Sequence, residues 1–176
     1  FELGVDLSAW CDVFIGDYNY LFDPVVRLHR FFDSAGDWLF LIDEAHNLPD
    51  RARAMYSAQF SKSSLTDAKR ALGKGKSPLK AALTRADKAF LETRKQTAEQ
   101  GGTAFLQELP AELLKPLHAL QAPLQDWLEQ NPDTEAHAQL LDLYFAVQDI
   151  TRAAERYDEH FVTQLSAYGS DLILQL

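Results

Sequence analysis

The residues most able to do chemistry stand together in the run Leu39-Phe40-Leu41-Ile42-Asp43-Glu44-Ala45-His46-Asn47. Four apolar residues in succession suit a buried strand of a parallel sheet covered on both faces. Asp43 and Glu44 follow at its carboxyl end, where open α/β sheets place their ligands. The same letters would also be seen where acidic residues merely end a strand. A zinc hydrolase built on Asp43, Glu44 and His46 is a poor fit: no H-E-x-x-H spacing exists, and His29, His118, His137 and His160 are scattered. Gly73-Lys74-Gly75-Lys76-Ser77-Pro78 has the look of a phosphate-binding loop but not its spacing. Arg70 stands where the first glycine belongs, no strand precedes it, and Pro78 follows directly. It reads as a flexible basic loop.

The elements that must position the acidic pair lie on both sides of it. Val13-Phe14-Ile15-Gly16-Asp17 is a second apolar strand, followed by Tyr18-Asn19-Tyr20-Leu21-Phe22-Asp23-Pro24. Asp23 as N-cap and Pro24 at the first helical position start a helix. Its Val25, Leu28, Phe31 and Phe32 form an apolar face, with Arg27 and Arg30 on another. Residues 1–10 read as a short helix or turn, with Asp6 and Ser8 available to cap. Ser34-Ala35-Gly36-Asp37 is a turn that delivers the second strand, and 51–60 reads as a helix leaving the sheet. The order is strand, helix, strand, helix.

The two runs V-F-I-G-D-Y-N-Y-L-F-D-P and F-L-I-D-E-A-H-N-L, taken together, closely resemble the iron–sulfur helicases of superfamily 2, the XPD- and DinG-like enzymes; Asp-Glu-Ala-His resembles their DEAH box. The specific part of the resemblance covers residues 1–50. It implies that Asp43 holds Mg²⁺ through water while Glu44 orients and deprotonates the attacking water in ATP hydrolysis. His46 then couples the nucleotide site to neighbouring motifs. Tyr18, Asn19 and Tyr20 begin a helix beside the DNA path, and Arg27 and Arg30 are candidates for phosphate contact, a solvated face being the plainer reading. The family's 4Fe-4S cluster takes four cysteines. Cys11 is the one cysteine here, and aligned on the strand the family's last ligand falls before Phe1. Cys11 reads as a small buried residue, and its solitude suits a reducing cytoplasm.

From about Ser61 the character changes and helical spacing dominates. Ser64-Leu65-Thr66-Asp67 offers a capping-box-like start for a helix through Leu72. Pro78 opens a long helix on Leu79, Leu83, Ala86 and Phe90 that ends before the break at Gly101-Gly102. A helix from Leu109 contains Pro116 and Pro123, which predicts a kink or two shorter helices. Glu135 to Tyr157 carries Leu140, Leu143, Tyr144, Val147, Ile150 and Ala154 at steps of three and four, one seam of a bundle. Residues 161–165 and 171–176 flank Ser166-Ala167-Tyr168-Gly169-Ser170, a β-hairpin signal. The predicted fold is an α/β fragment, predominantly α-helical. The resemblance implies that residues 1–57 are a RecA-like motor piece, 58–158 a helical bundle where the family inserts its Arch, and 159–176 a hairpin returning toward the motor.

Composition sets bounds on this reading. The chain has 176 residues, 47% hydrophobic and 24% charged, as in an ordinary globular domain. No apolar run reaches the roughly 20 residues that span a bilayer. A net charge of −9, from 26 acidic and 17 basic residues, argues against a broad nucleic-acid surface but leaves room for a local basic groove. No Gly-x-x-x-x-Gly-Lys-Ser/Thr motif is present, so ATP has no strong purchase and the chain alone is expected not to hydrolyse it. The resemblance implies a cut-out piece of a cytoplasmic, bacterial DinG-like 5′–3′ helicase acting on single-stranded DNA, its Arch also a docking surface for regulatory proteins. The rival expectation is a non-catalytic helical interaction module. The motor reading asks for strands 13–17 and 39–43 parallel, adjacent or one strand apart, with Asp43 and Glu44 at an open edge.

Overall fold

Turn residues and apolar spacing divide the chain near Tyr56 in the computed structural model, which describes residues 2–33 and 36–176. The two units are Phe1–Tyr56 and Ser57–Leu176. Helix makes up 55% of the chain, beside a small antiparallel sheet, so the predominantly helical α/β reading holds.

The first unit has short helices among its described residues: α1 (Glu2–Ser8), α2 (Asn19–Phe22), α3 (His29–Phe32) and α4 (Leu48–Tyr56), with a 3-10 turn at Ala45–Asn47 leading into α4. The strands expected at 13–17 and 39–43 are not formed; both segments lack ladder partners. The physical reason is that a parallel pair without further strands or a cover on its second face gains too few hydrogen bonds and too little burial. What survives is the period-two alternation of a strand. Phe14 and Phe40 are each 46% exposed and turn toward Phe31 and Phe32, while Ile15 and Leu41 are each 92% exposed. Trp38 adds an edge-on contact to Phe32 at 5.6 Å between centroids. This aromatic cluster joins three segments of the unit, but Val5 is its one buried apolar residue among those described.

The helix expected from Asp23 also departs from expectation. Asp23 does cap a turn, its Oδ1 accepting the Val25 N–H at 2.8 Å, and the Arg27 N–H reaches the Asp23 carbonyl. The turn stops there because the Leu28 N–H donates to the Tyr20 carbonyl at 2.9 Å instead of continuing a helical ladder. Cys11 is exposed rather than buried, its thiol donating to the Leu7 carbonyl, since the strand it was expected to lead into does not form. Asp6 and Ser8 do not cap the start of α1: Asp6 pairs with Arg30, and the Ser8 hydroxyl donates to the Val5 carbonyl. Of the expected turn at 34–37, Ser34 and Ala35 lie outside the described residues.

The second unit follows its apolar pattern closely. Its elements are β1 (Gln59–Ser61), α5 (Lys62–Ala71), α6 (Pro78–Glu99), β2 (Thr103–Leu106), α7 (Ala111–His118), α8 (Gln121–Gln130), α9 (His137–Glu155), β3 (Thr163–Tyr168) and β4 (Asp171–Gln175). Ser61, not Ser64, caps α5, its hydroxyl accepting from the Ser63 N–H. Ser77 caps α6 through the Lys80 N–H, with Pro78 in the first turn as its fixed φ favours. Two shorter helices, α7 and α8, occupy the proline-bearing stretch, parted at Ala119 and Leu120. Pro116 withholds an amide hydrogen one turn before the break, and Pro123 sits harmlessly in the first turn of α8. Helix α9 runs to Glu155 as its seam requires.

The hairpin forms with the two-residue turn Gly169-Ser170 between the paired residues Tyr168 and Asp171. Gly169 has φ +56, which a glycine adopts without Cβ strain. Two strands went unforeseen. Phe60, expected in a helix, lies in β1, and the stretch after Gly101-Gly102 forms β2. Each is an edge strand with one neighbour, in a sheet of order β1-β4-β3-β2, antiparallel throughout. Strands of three and four residues carry too little alternation to be distinguished from helix by pattern. Across the sheet the row Phe60, Leu174, Leu165, Ala104 faces inward, where α5, α6 and α9 cover it. Phe90 of α6 packs against Phe60 with the rings tilted, 5.3 Å between centroids. No described helix is long and apolar enough to cross a membrane.

Candidate functional site

Asp43, Glu44 and His46 stand on one turn between the apolar run and α4. Pro49, in the first turn of α4, predisposes the chain to enter a helix just after the acidic pair. To make that entry Glu44 takes a left-handed backbone, φ 51 and ψ 33. Among the described residues it is the one non-glycine with positive φ. For a side chain with a Cβ this conformation costs roughly 1–2 kcal/mol. Two hydrogen bonds hold it: Asp43 Oδ1 accepts the Glu44 N–H at 2.9 Å, and the Asn47 N–H donates to the Glu44 carbonyl at 2.9 Å. The turn projects Asp43, Glu44 and His46 into solvent. His46 Nδ1 lies 3.3 Å from Glu44 Oε2, a surface pair of little energetic weight. The left-handed turn was not foreseen; Pro49 was the available signal.

The other candidates occupy a different part of the unit. Tyr18, Asn19 and Tyr20 are half-buried at the start of α2, where Asp17 Oδ1 accepts the Asn19 N–H at 2.8 Å. Arg27 donates to the Phe32 carbonyl at 3.0 Å and lies 3.5 Å from Asp33. Arg30 pairs with Asp6 at 2.8 Å and lies over the Phe31 ring. Both arginines therefore brace the small unit through internal carboxylates. The described contacts do not bring these five residues onto Asp43, Glu44 and His46.

Carboxylate oxygens suit a hard divalent cation such as Mg²⁺. Asp43 uses one oxygen on the Glu44 amide, which leaves the other for a cation or its water. No group of three or more His, Cys, Asp or Glu that could hold a metal occurs among the described residues. The pair fits an ion shared with phosphate and water ligands rather than one caged by protein. Cys11, a lone thiol, does not fit a cluster that needs four.

Residues 5–65 match a family model described as DEAD_2, a DEAD/DEAH-associated helicase domain found in XPD- and DinG-type helicases. The match includes the strained Glu44 turn and ends within α5. No curated protein and no solved structure matches the chain.

Proposed function

We propose that this chain supplies the DEAH motif of an ATP-dependent DNA helicase of the XPD- and DinG-like kind. The observation that carries the reading is the family match over residues 5–65, with Asp43 and Glu44 displayed on an open turn after an apolar run. Mg²⁺, when bound beside Asp43, would neutralise charge on the phosphates of ATP. Glu44 would orient the attacking water and take its proton, its carboxylate being exposed to solvent. His46, 3.3 Å from Glu44, would pass the state of that carboxylate to neighbouring motifs. Residues 58–158 would serve as the Arch that frames single-stranded DNA, with translocation 5′–3′ and a bacterial cytoplasmic setting following from the same reading. The phosphate-binding lysine and the 4Fe-4S ligands would come from outside these 176 residues, so the chain alone would be inactive.

The test is ATPase activity of the complete parent protein, with and without single-stranded DNA, comparing wild type and Glu44→Gln. Loss of a general base predicts a fall of roughly a hundredfold or more in DNA-stimulated turnover. Equal turnover in both proteins would make the acidic pair a mere strand ending and favour a non-catalytic helical interaction module.

A further inference from the structure

Charge is sharply segregated within the second unit. Residues 62–95 hold ten Lys and Arg against three Asp and Glu, whereas 96–176 hold three against thirteen. The positive segment is one structural piece, the helical hairpin of α5, the loop 72–77 and α6. Two of its lysines are used internally: Lys69 donates to Asp87 at 2.8 Å, and Lys62 lies 2.9 Å from the other oxygen of Asp87. Lys74, Lys76, Arg85 and Lys95 are exposed and have no carboxylate partner among the described residues. On α6, Arg85, Lys88 and Lys95 recur at steps of three and seven and share one solvent-facing stripe, relieved by Glu92, 3.8 Å from Lys88. A solvated helix face ordinarily mixes its signs, because like charges at such spacings destabilise a helix. From Arg85 to Lys95 the face runs about 15 Å along the helix, and Lys74 and Lys76 of the preceding loop extend the positive segment beyond its N-terminal end. That length suits an extended polyanion and exceeds the reach of a single nucleotide.

The far half of α6 carries a second feature. Arg94 donates to the Gly169 carbonyl at 2.8 Å and so fixes the tip of the β3–β4 hairpin beside it. Tyr168, at that tip, is 83% exposed. An exposed aromatic ring on the same unit as unpaired cations is a combination by which proteins hold single strands, the cations on phosphates and the ring under a base.

We propose that the α5–α6 hairpin, with Tyr168 at one end, is the surface by which this chain holds single-stranded nucleic acid. The inference rests on the helicase reading for its partner and deepens it by naming the surface; it does not depend on hydrolysis at Glu44. Four unpaired cations at single-strand counterion release give a slope of log K against log salt of about −3. Affinity should be modest, on the order of 10–100 μM near physiological salt.

The experiment is fluorescence anisotropy of a labelled 20-nucleotide oligo-dT with the 176-residue chain across a salt series. Arg85→Glu/Lys95→Glu and Lys74→Glu/Lys76→Glu should each weaken binding at least tenfold. Their neutral forms, with Gln at the same positions, should roughly halve the slope. Tyr168→Ala should weaken binding several-fold at unchanged slope. Arg152→Glu on α9, beside Asp149, is the control and should bind within twofold of wild type; circular dichroism verifies that each variant is folded. Folded variants that bind as wild type does would overturn the proposal, as would equal losses in the control. Tighter binding to a duplex of the same length, or displacement of the strand by polyglutamate at lower concentration than by oligo-dT, would overturn it in favour of a different polyanion. Because no ATP is present, failure here leaves the Glu44→Gln result in the parent protein to judge the helicase reading separately.

Discussion

The first unit of this chain is the richer in large apolar residues for its length, yet the second is the one that buries them. In Ser57–Leu176 helices and sheet share one core of fully enclosed leucines and phenylalanines. In Phe1–Tyr56 Trp10, Val13, Ile15, Leu39 and Leu41 all face solvent. The contrast is one of partners rather than of composition. An antiparallel sheet closed by hairpins and covered by its own helices satisfies backbone and side chains from nearby sequence. Parallel strands need crossover neighbours on both sides and layers on both faces before their apolar runs are worth burying.

Mutations should expose that difference. The largest effect is expected at Phe90, fully enclosed and packed against Phe60. Phe90→Ala should lower the unfolding free energy of the second unit by about 3–5 kcal/mol in urea titrations. A loss no larger than that of a surface substitution would mean that the unit lacks the packed core described.

A smaller effect is expected at Asp87, which ties α5 to α6 through Lys62 and Lys69. Partial burial works to raise its pKa, but hydrogen bonds from Lys69 and Lys62, with their charges, outweigh burial and hold it below the ordinary carboxylate value. A carboxylate depressed in the folded state adds stability that is fully present above its unfolded value near 3.8 and fades as pH falls through the lower folded one. Asp171 adds to the same window: burial again opposes, while donors from Ser61, Ser63 and Leu172 prevail and lower its pKa. Asp87→Asn should therefore cost about 1–3 kcal/mol at pH 7 and flatten the decline in stability below pH 4. Melting curves of both proteins from pH 7 to pH 3 measure this; parallel declines would remove Asp87 from the account.

The smallest effect is expected in the first unit. Ile15→Ser and Leu41→Ser should change the stability of this chain by no more than about 0.5 kcal/mol, as exposed positions do. Amide exchange at 13–15 and 39–42 should be fast in the 176-residue chain. In the complete parent protein the same amides should be protected if these segments pair there as strands. Slow exchange in the isolated chain would contradict the absence of a ladder.

Legibility followed the same divide. The seam of α9, the start of α6 at Pro78, the interruption between α7 and α8 and the Gly169 hairpin could all be read from letters, because each rests on contacts or dihedral limits within a few residues. The edge strands at Phe60 and Phe105 could not, since a strand of three or four residues is defined by its neighbour. At the candidate site the residue types Asp43, Glu44 and His46 were legible, and their placement on a left-handed turn was not. That turn depends on hydrogen bonds from Glu44 and Asn47 amides that no propensity specifies.

Sequence by itself determined where the long helices of the second unit form and where they stop, since these follow from backbone sterics and periodicity within a few residues. Only the tertiary structure decided which apolar runs become core. Burial is a property of what lies opposite: Leu174 finds Phe60 and Leu165 across its own sheet, whereas Leu41 has nothing opposite it among the described residues.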